Sequence, residues 1–216
     1  MVCAVVQPGE ENVMARKILA GVAVVLGFLV GLIMMQPAST QVNRTVDIQA
    51  TPAQVWPHLI DLKKFVVWSP WSGMDPNQKV TFEGPATGVG SSYMWQGNDQ
   101  VGKGKMSITK ASEPTSVTVA LEFIEPFESK ADVGYKVTAH GATTTVMWWY
   151  ESPNNFMAKA MCLVMDMDKM LGADFAKGLA SLKKIVEDEA KAAPPPAAAA
   201  AVAAPDAGPP TAAGSH

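Results

Sequence analysis

The chain has little of what most catalytic or nucleic-acid-binding chemistry is built from. Of its 216 residues only two are cysteine and three are histidine. Cys3 and Cys162 stand on opposite sides of a long apolar run, so they form neither a disulfide framework nor a thiolate metal site. His58, His140 and His216 have no ligand spacing, and Asp166 and Asp168 would point their carboxylates about 200° apart around a helix. No metal and no cofactor are therefore expected. Lysine and arginine together number 17 against 20 acidic residues, a formal net charge of -3. A phosphate-binding surface needs concentrated positive charge, which excludes nucleic acid as a partner. Gly88-Val89-Gly90 and Gly102-Lys103-Gly104 do not open helices, so they are not phosphate loops; they suit strands that must turn or bend.

What the chain does have begins with Ile18 to Met35, an apolar run without a charge. As a helix it would span about 27 Å, close to the hydrocarbon thickness of a bilayer. Arg16 and Lys17 precede it, and the next basic residue is Arg44. This bias predicts a single-pass anchor over 18–35, with residues 1–17 a short cytoplasmic N-terminus and the rest exported. A cleaved signal peptide is the competing reading, but Gln36-Pro37-Ala38 and Ala38-Ser39-Thr40 make poor cleavage sites. Met14 offers a second start site. Gly27 and Gly31 have the spacing of a weak helix dimer, although glycine is common in membrane spans. At the other end, residues 190–216 are almost entirely Ala, Pro and Gly, a composition expected to stay disordered.

Residues 42–189 remain as one domain. Val42, Arg44, Val46 and Ile48 alternate with polar residues, a half-buried strand. Thr51-Pro52 then starts a short helix, broken at Pro57. Two tryptophans, Trp68 and Trp71, bracket Ser69-Pro70, a pair that predicts a turn. From Lys79 to Glu151 six further strands alternate with Gly, Pro, Asn and Asp signals, an antiparallel meander. After Pro153 the apolar period becomes helical, with Met161, Val164, Met165, Leu171, Phe175, Leu182 and Ile185 on one broad stripe of a single long helix. Gly172 and Gly178 inside that helix each cost about 1 kcal/mol relative to alanine, which implies a close approach of something to the helix. The fold class is α+β: a curved antiparallel sheet that buries one face against the long helix.

The residues "WSPW" (Trp68 to Trp71), "GPATGVGSSYMWQGN" (Gly84 to Asn98), "VGKGKMSI" (Val101 to Ile108) and "MDMDKMLGADFAKGLASLK" (Met165 to Lys183) resemble the SRPBCC superfamily. This helix-grip group includes START lipid-transfer domains, birch-pollen-type allergens and polyketide cyclases. The resemblance covers about Asn43 to Val186 and is nearest to a bacterial polyketide cyclase-like subgroup. It implies the helix-grip fold and an apolar cavity, with the segment after the short helices near the cavity's open end. It assigns no reaction.

Strand parity supplies the contents of such a cavity. The inward set is Tyr93 and Trp95, Gly104, Met106 and Ile108, then Val117, Val119, Leu121 and Phe123, Val133, Tyr135 and Val137, and Val146, Trp148 and Tyr150. Met161 and Met165 join from the helix, and Trp68 and Trp71 are placed at the apolar rim. The alternative is that both tryptophans plug the mouth as core. Trp149 falls on the outer face with no evident role. No His, Asp, Glu or Lys stands on the inward strand positions, so catalytic residues are not assigned. His58 suits a surface or structural role better than that of a base. The expected function is a membrane-tethered, extracytoplasmic binding module for a hydrophobic or amphipathic small molecule, a lipid or a polyketide-like compound. Two alternatives stay open: an enzyme of cyclase or hydrolase type using the cavity tyrosines, and a filled-core domain for protein interaction at the envelope.

Overall fold

A computed structural model describes residues 10–126 and 128–192. The expectations for residues 1–9 and for the tail beyond Ala192 lie outside the described residues. Helix α1 (Glu10–Met34) contains one stretch, Val13–Met34, long and apolar enough to cross a membrane. Its apolar side chains are exposed almost throughout; only Ile33, near its end, is buried. The linker 35–38 leads into strand β1 (Ser39–Ile48).

Helices α2 (Pro52–Ile60) and α3 (Leu62–Trp68) follow, and then six strands in succession: β2 (Lys79–Glu83), β3 (Ser92–Gln96), β4 (Lys103–Ser112), β5 (Ser116–Glu125), β6 (Ser129–His140) and β7 (Thr143–Pro153). They form one seven-stranded antiparallel sheet in the order β1-β7-β6-β5-β4-β3-β2, in which β1 closes back on β7. Helices α4 (Phe156–Cys162) and α5 (Met167–Ala192) end the described chain. Phe175, Leu179, Leu182 and Val186 of α5 are buried against the inward strand residues, the helix-grip arrangement. Arg44 of β1 ties the start of α5 to the sheet by donating to both carboxylate oxygens of Asp168, at 2.9 and 3.0 Å. A Cβ at Gly172 would run into that guanidinium, which accounts for one of the two helix glycines. The other, Gly178, lies against Trp148, where a Cβ would come within 2.8 Å of Cζ3.

Three local expectations need correction. Helix α2 continues through Pro57 and stops at Asp61, whose side chain accepts from the Lys63 amide at 2.8 Å and so starts α3. Pro57 is the sixth residue of α2, beyond the first turn, so the helix carries it without an amide bond to the Ala53 carbonyl. Trp68 is the last residue of α3, not a loop residue. The stretch after Pro153 is two helices: Asn155 caps α4 by accepting from Ala158 N at 2.9 Å, and Asp166 caps α5 by accepting from Lys169 N at 3.1 Å. These two caps divide the apolar stripe, so Met161 and Val164 fall outside the core.

The strand parity survives in detail. Trp149 also acquires a role: it pairs with Gly134 on the outer face, and its ring covers that glycine so closely that a Cβ there would meet Cζ2 at 2.9 Å. An aromatic side chain shielding a strand glycine compensates the missing side chain.

Register defines two ends of the sheet. Ser39 pairs with Pro153, Phe123 with Ser129, and Gln96 with Lys103, so the start of β1 shares an end with the close of β3, β5 and β7. Ile48 pairs with Thr144 and Ser112 with Ser116 at the opposite end. The opposite end is filled by Ile48, Val55, Leu59, Val119, Leu182 and Val186, all buried. The end next to α1 is not filled.

Candidate functional site

A partly open cavity of about 240 Å³ occupies the α1 end of the domain, between the sheet and the first turns of α5. Of the residues expected from the sequence, Trp71, Tyr93, Trp95, Met106, Leu121, Phe123, Trp148 and Tyr150 line it. Alternation explains why: each strand residue belongs to the inward set, and Trp95, Met106, Leu121, Phe123 and Tyr150 lie toward the α1 end of their strands, with Tyr93 beside Met106 and Trp148 at the middle of β7.

The remaining expected residues do not line it. Trp68 is not at the rim: it is 1% exposed, its Nε1 donates to the His58 carbonyl at 3.1 Å, and its ring packs edge-on against Trp148 at 5.2 Å. The "WSPW" pair is thus split, Trp68 as core and Trp71 as wall. Ile108 and Tyr135 are buried in the filled half, one step deeper along their strands. Met161 is exposed on α4, and Met165 lines a separate groove beside the linker 35–38. Val133, of the inward set, also lines it, while Phe65, Ser69, Ser72, Gln78, Gln100, Val101, Met167, Leu171 and Phe175 are lining residues that strand parity does not reach. Leu171 and Phe175 belong to the apolar stripe of the long helix, whereas the loop residues carry no periodic signal.

Two loops make the mouth, and a buried carboxylate joins them. Asp75 accepts from Asn77 N at 2.9 Å in its own loop and from Asn98 N at 2.7 Å in the β3–β4 hairpin. On the hairpin, Trp95 Nε1 donates to the Val101 carbonyl at 3.2 Å, which fixes the indole as wall. Gly104 gives that ring its room, since a Cβ there would collide with it.

The lining contains no Asp, Glu, Lys, Arg or His. Its polar groups are Ser69, Ser72, Gln78, Gln100 and the hydroxyls of Tyr93 and Tyr150. Burial pushes both phenols above their ordinary pKa, so at neutral pH they are hydrogen-bond donors and acceptors but not bases. At the centre of the wall, Trp148 stacks on Phe175 with ring centroids 4.1 Å apart and meets Phe65, Trp68 and Trp71 edge-on. Its Nε1 is buried and has no hydrogen-bond partner among the described residues. A buried donor left so costs about 1–3 kcal/mol.

The one histidine buried among the described residues lies elsewhere. His58 is buried beside Glu189, Nε2 to Oε2 3.0 Å, a pairing across the chain that spacing could not reveal, and it does not reach the cavity. His140 is exposed at the close of β6. Among the described residues no three His, Cys, Asp or Glu side chains converge to hold a metal ion.

A family model described as "Polyketide cyclase / dehydrase and lipid transport" matches residues 39–187. No curated protein matches the sequence. Among solved structures, Mll3558 from Rhizobium loti superposes with a TM-score of 0.51 at 12% identity, covering 68% of this chain and 96% of that one. MLL2253 from Mesorhizobium loti gives 0.50 at 14% identity, with 69% and 98% covered. DynU16, a protein of the dynemicin biosynthetic locus, gives 0.48 at 15% identity; 68% of this chain is covered but only 47% of that one. For the first two the likeness is one of fold.

Proposed function

The chain belongs to the polyketide cyclase / dehydrase and lipid transport family, part of the SRPBCC superfamily, and from that premise we propose that it is a membrane-tethered binding module for an apolar or amphipathic small molecule held in the cavity. The observation that carries this reading is the composition of the lining: aromatic and aliphatic side chains with a few uncharged polar groups and no acid–base residue. The volume supports a compact ligand group. It exceeds the roughly 150 Å³ of an engineered cavity that holds benzene and falls below the range of about 300–1,000 Å³ for drug-sized ligands. One ring system or a short length of acyl chain fits.

The unpartnered Nε1 of Trp148 adds a requirement. A ligand oxygen that reaches it relieves a buried donor, so an amphipathic molecule with a carbonyl or hydroxyl is favoured over a pure hydrocarbon. Tyr93 and Tyr150 add hydroxyls to the lining that can hydrogen-bond a polar group of the ligand.

The proposed organisation is a cytoplasmic segment 1–17, an anchor over 18–35, the binding domain 42–189 outside the cytoplasm and a tail 190–216. The length and hydropathy of α1, with Arg16 and Lys17 at its cytoplasmic end, support this topology. Native mass spectrometry of the full chain extracted from its own membrane tests the function: a co-purifying mass of a lipid or polyketide-like compound is expected. Repeated recovery of ligand-free protein would instead favour the filled-core interaction domain.

A further inference from the structure

The sheet register puts the cavity at the end of the domain from which α1 leaves, and beside it an apolar helix face is exposed. Five large apolar side chains of residues 156–164 are exposed, Phe156, Met157, Met161, Leu163 and Val164, the last 78% exposed, and Lys159 is the one charged residue of α4. A contiguous exposed cluster of this kind marks a contact surface. Its position is fixed by the anchor. The linker 35–38 can reach at most about 14 Å when fully extended, and Asn154 holds it to the entry of α4: the Asn154 amide donates to the Ala38 carbonyl at 2.8 Å and Nδ2 to the Pro37 carbonyl at 3.1 Å. Helix α4 also touches α1.

We infer that the apolar face formed by α4 and residues 163–164 rests on the bilayer leaflet at which α1 ends, so that the cavity is presented to membrane lipid. This rests on the anchor and binding readings given above. The occupant is the lipid surface because the anchor delivers the face to it: no other apolar phase lies within the reach of a four-residue linker held down at Asn154. A shallow open groove lies between the linker and the α4–α5 turn, and Met167 lines both the groove and the cavity. Met167 is thus the wall between the membrane-facing surface and the interior.

The test uses the full chain, with Cys3→Ser and Cys162→Ser, reconstituted in phosphatidylcholine vesicles and carrying an NBD label on Val164→Cys or, for contrast, on Lys110→Cys, exposed toward the other end of β4. The label at 164 is expected to emit to the blue of the label at 110 and to lose most of its emission when doxyl-labelled lipid is included; the label at 110 should lose none. Equal, water-like emission from both sites would overturn the inference. So would a shielded label at 164 that lipid does not quench but that transfers energy to a second label, which would assign the face to another copy of the chain. Flotation after carbonate washing reports the anchor separately, and lipid mass in the extracted protein reports the cavity. Bound lipid with a water-exposed 164 therefore removes only the membrane contact. As a second variant, Met161→Glu with Val164→Glu changes exposed residues only and is expected to abolish quenching at a label on Met157→Cys without lowering Tm; quenching that persists would also overturn the inference.

Discussion

Gly178 sits where the long helix crosses the ring of Trp148, and replacing it by alanine sets two effects against each other. Removing a glycine from a helix interior gains about 1 kcal/mol. The added Cβ would come within 2.8 Å of Trp148 Cζ3 and 3.0 Å of Pro70 Cδ. Trp148 cannot retreat: Phe175 stacks on one face at 4.1 Å, and Phe65, Trp68 and Trp71 close the sides. Overpacking of this kind costs about 1–3 kcal/mol, so the net change for Gly178→Ala runs from near zero to a loss of about 2 kcal/mol. Each kcal/mol corresponds to a fall in Tm of about 2–4 °C for a chain of this size. Gly178→Leu, with three more carbons, should lose more and also reduce uptake of a naphthyl probe into the cavity. The assay is thermal unfolding of the full chain in detergent, followed by near-ultraviolet circular dichroism. Combining Gly178→Ala with Trp148→Phe should make the alanine less costly than it is alone, because the smaller ring recedes from the helix. A rise in Tm for Gly178→Ala by the full propensity gain would refute the reasoning and place the glycine in open space.

Trp71→Ala should weaken uptake of a fluorescent fatty-acid probe with little change in Tm, whereas Trp68→Ala should cost about 3–5 kcal/mol because its whole side chain is core; equal unfolding by both would remove Trp71 from the cavity wall. Trp148→Phe should lower affinity for a ligand bearing a carbonyl more than for the matching hydrocarbon, and an equal loss for both would show that Nε1 takes no part. Burial pushes the Tyr135 phenol well above its ordinary value, so the folded state keeps a proton that the unfolded state loses above about pH 10; stability is full below that pH and falls above it, and Tyr135→Phe should flatten the fall in an alkaline titration of Tm. A reporter fused after Lys191 should be active outside the cytoplasm and stay with membranes through carbonate washing, whereas a soluble product shortened near Thr40 would identify a signal peptide.

Most of the sheet was legible because alternation is a local signal. Tyr93 and Trp95, Met106, Leu121 and Phe123, and Trp148 and Tyr150 face inward as their period of two requires. Parity, however, says which face a residue occupies and not how far along the strand the interior is filled. That is why Ile108 and Tyr135 belong to the packed half while their inward neighbours line the space. Helix ends were harder. Asp61, Asn155 and Asp166 act as caps through single side-chain bonds to backbone amides, and such bonds decide boundaries that periodicity passes over. Proline and tryptophan in "WSPW" suggested a loop, yet Trp68 finishes a helix and turns inward, because the burial of an indole outweighs the preference of its neighbours. The role of Asp75 was invisible, since it joins segments that approach only in the folded chain.

The uneven filling of the domain has a kinetic consequence. Where Ile48, Leu59, Val119, Leu182 and Val186 interlock, amide protons should exchange with solvent only through global unfolding. Around the cavity the closing strand residues and the first turn of α5 border empty space on one side and can open as a smaller unit. On the binding function proposed above, a ligand would enter and leave on the timescale of that partial opening, while the far half of the sheet stays shut and spares the protein global unfolding.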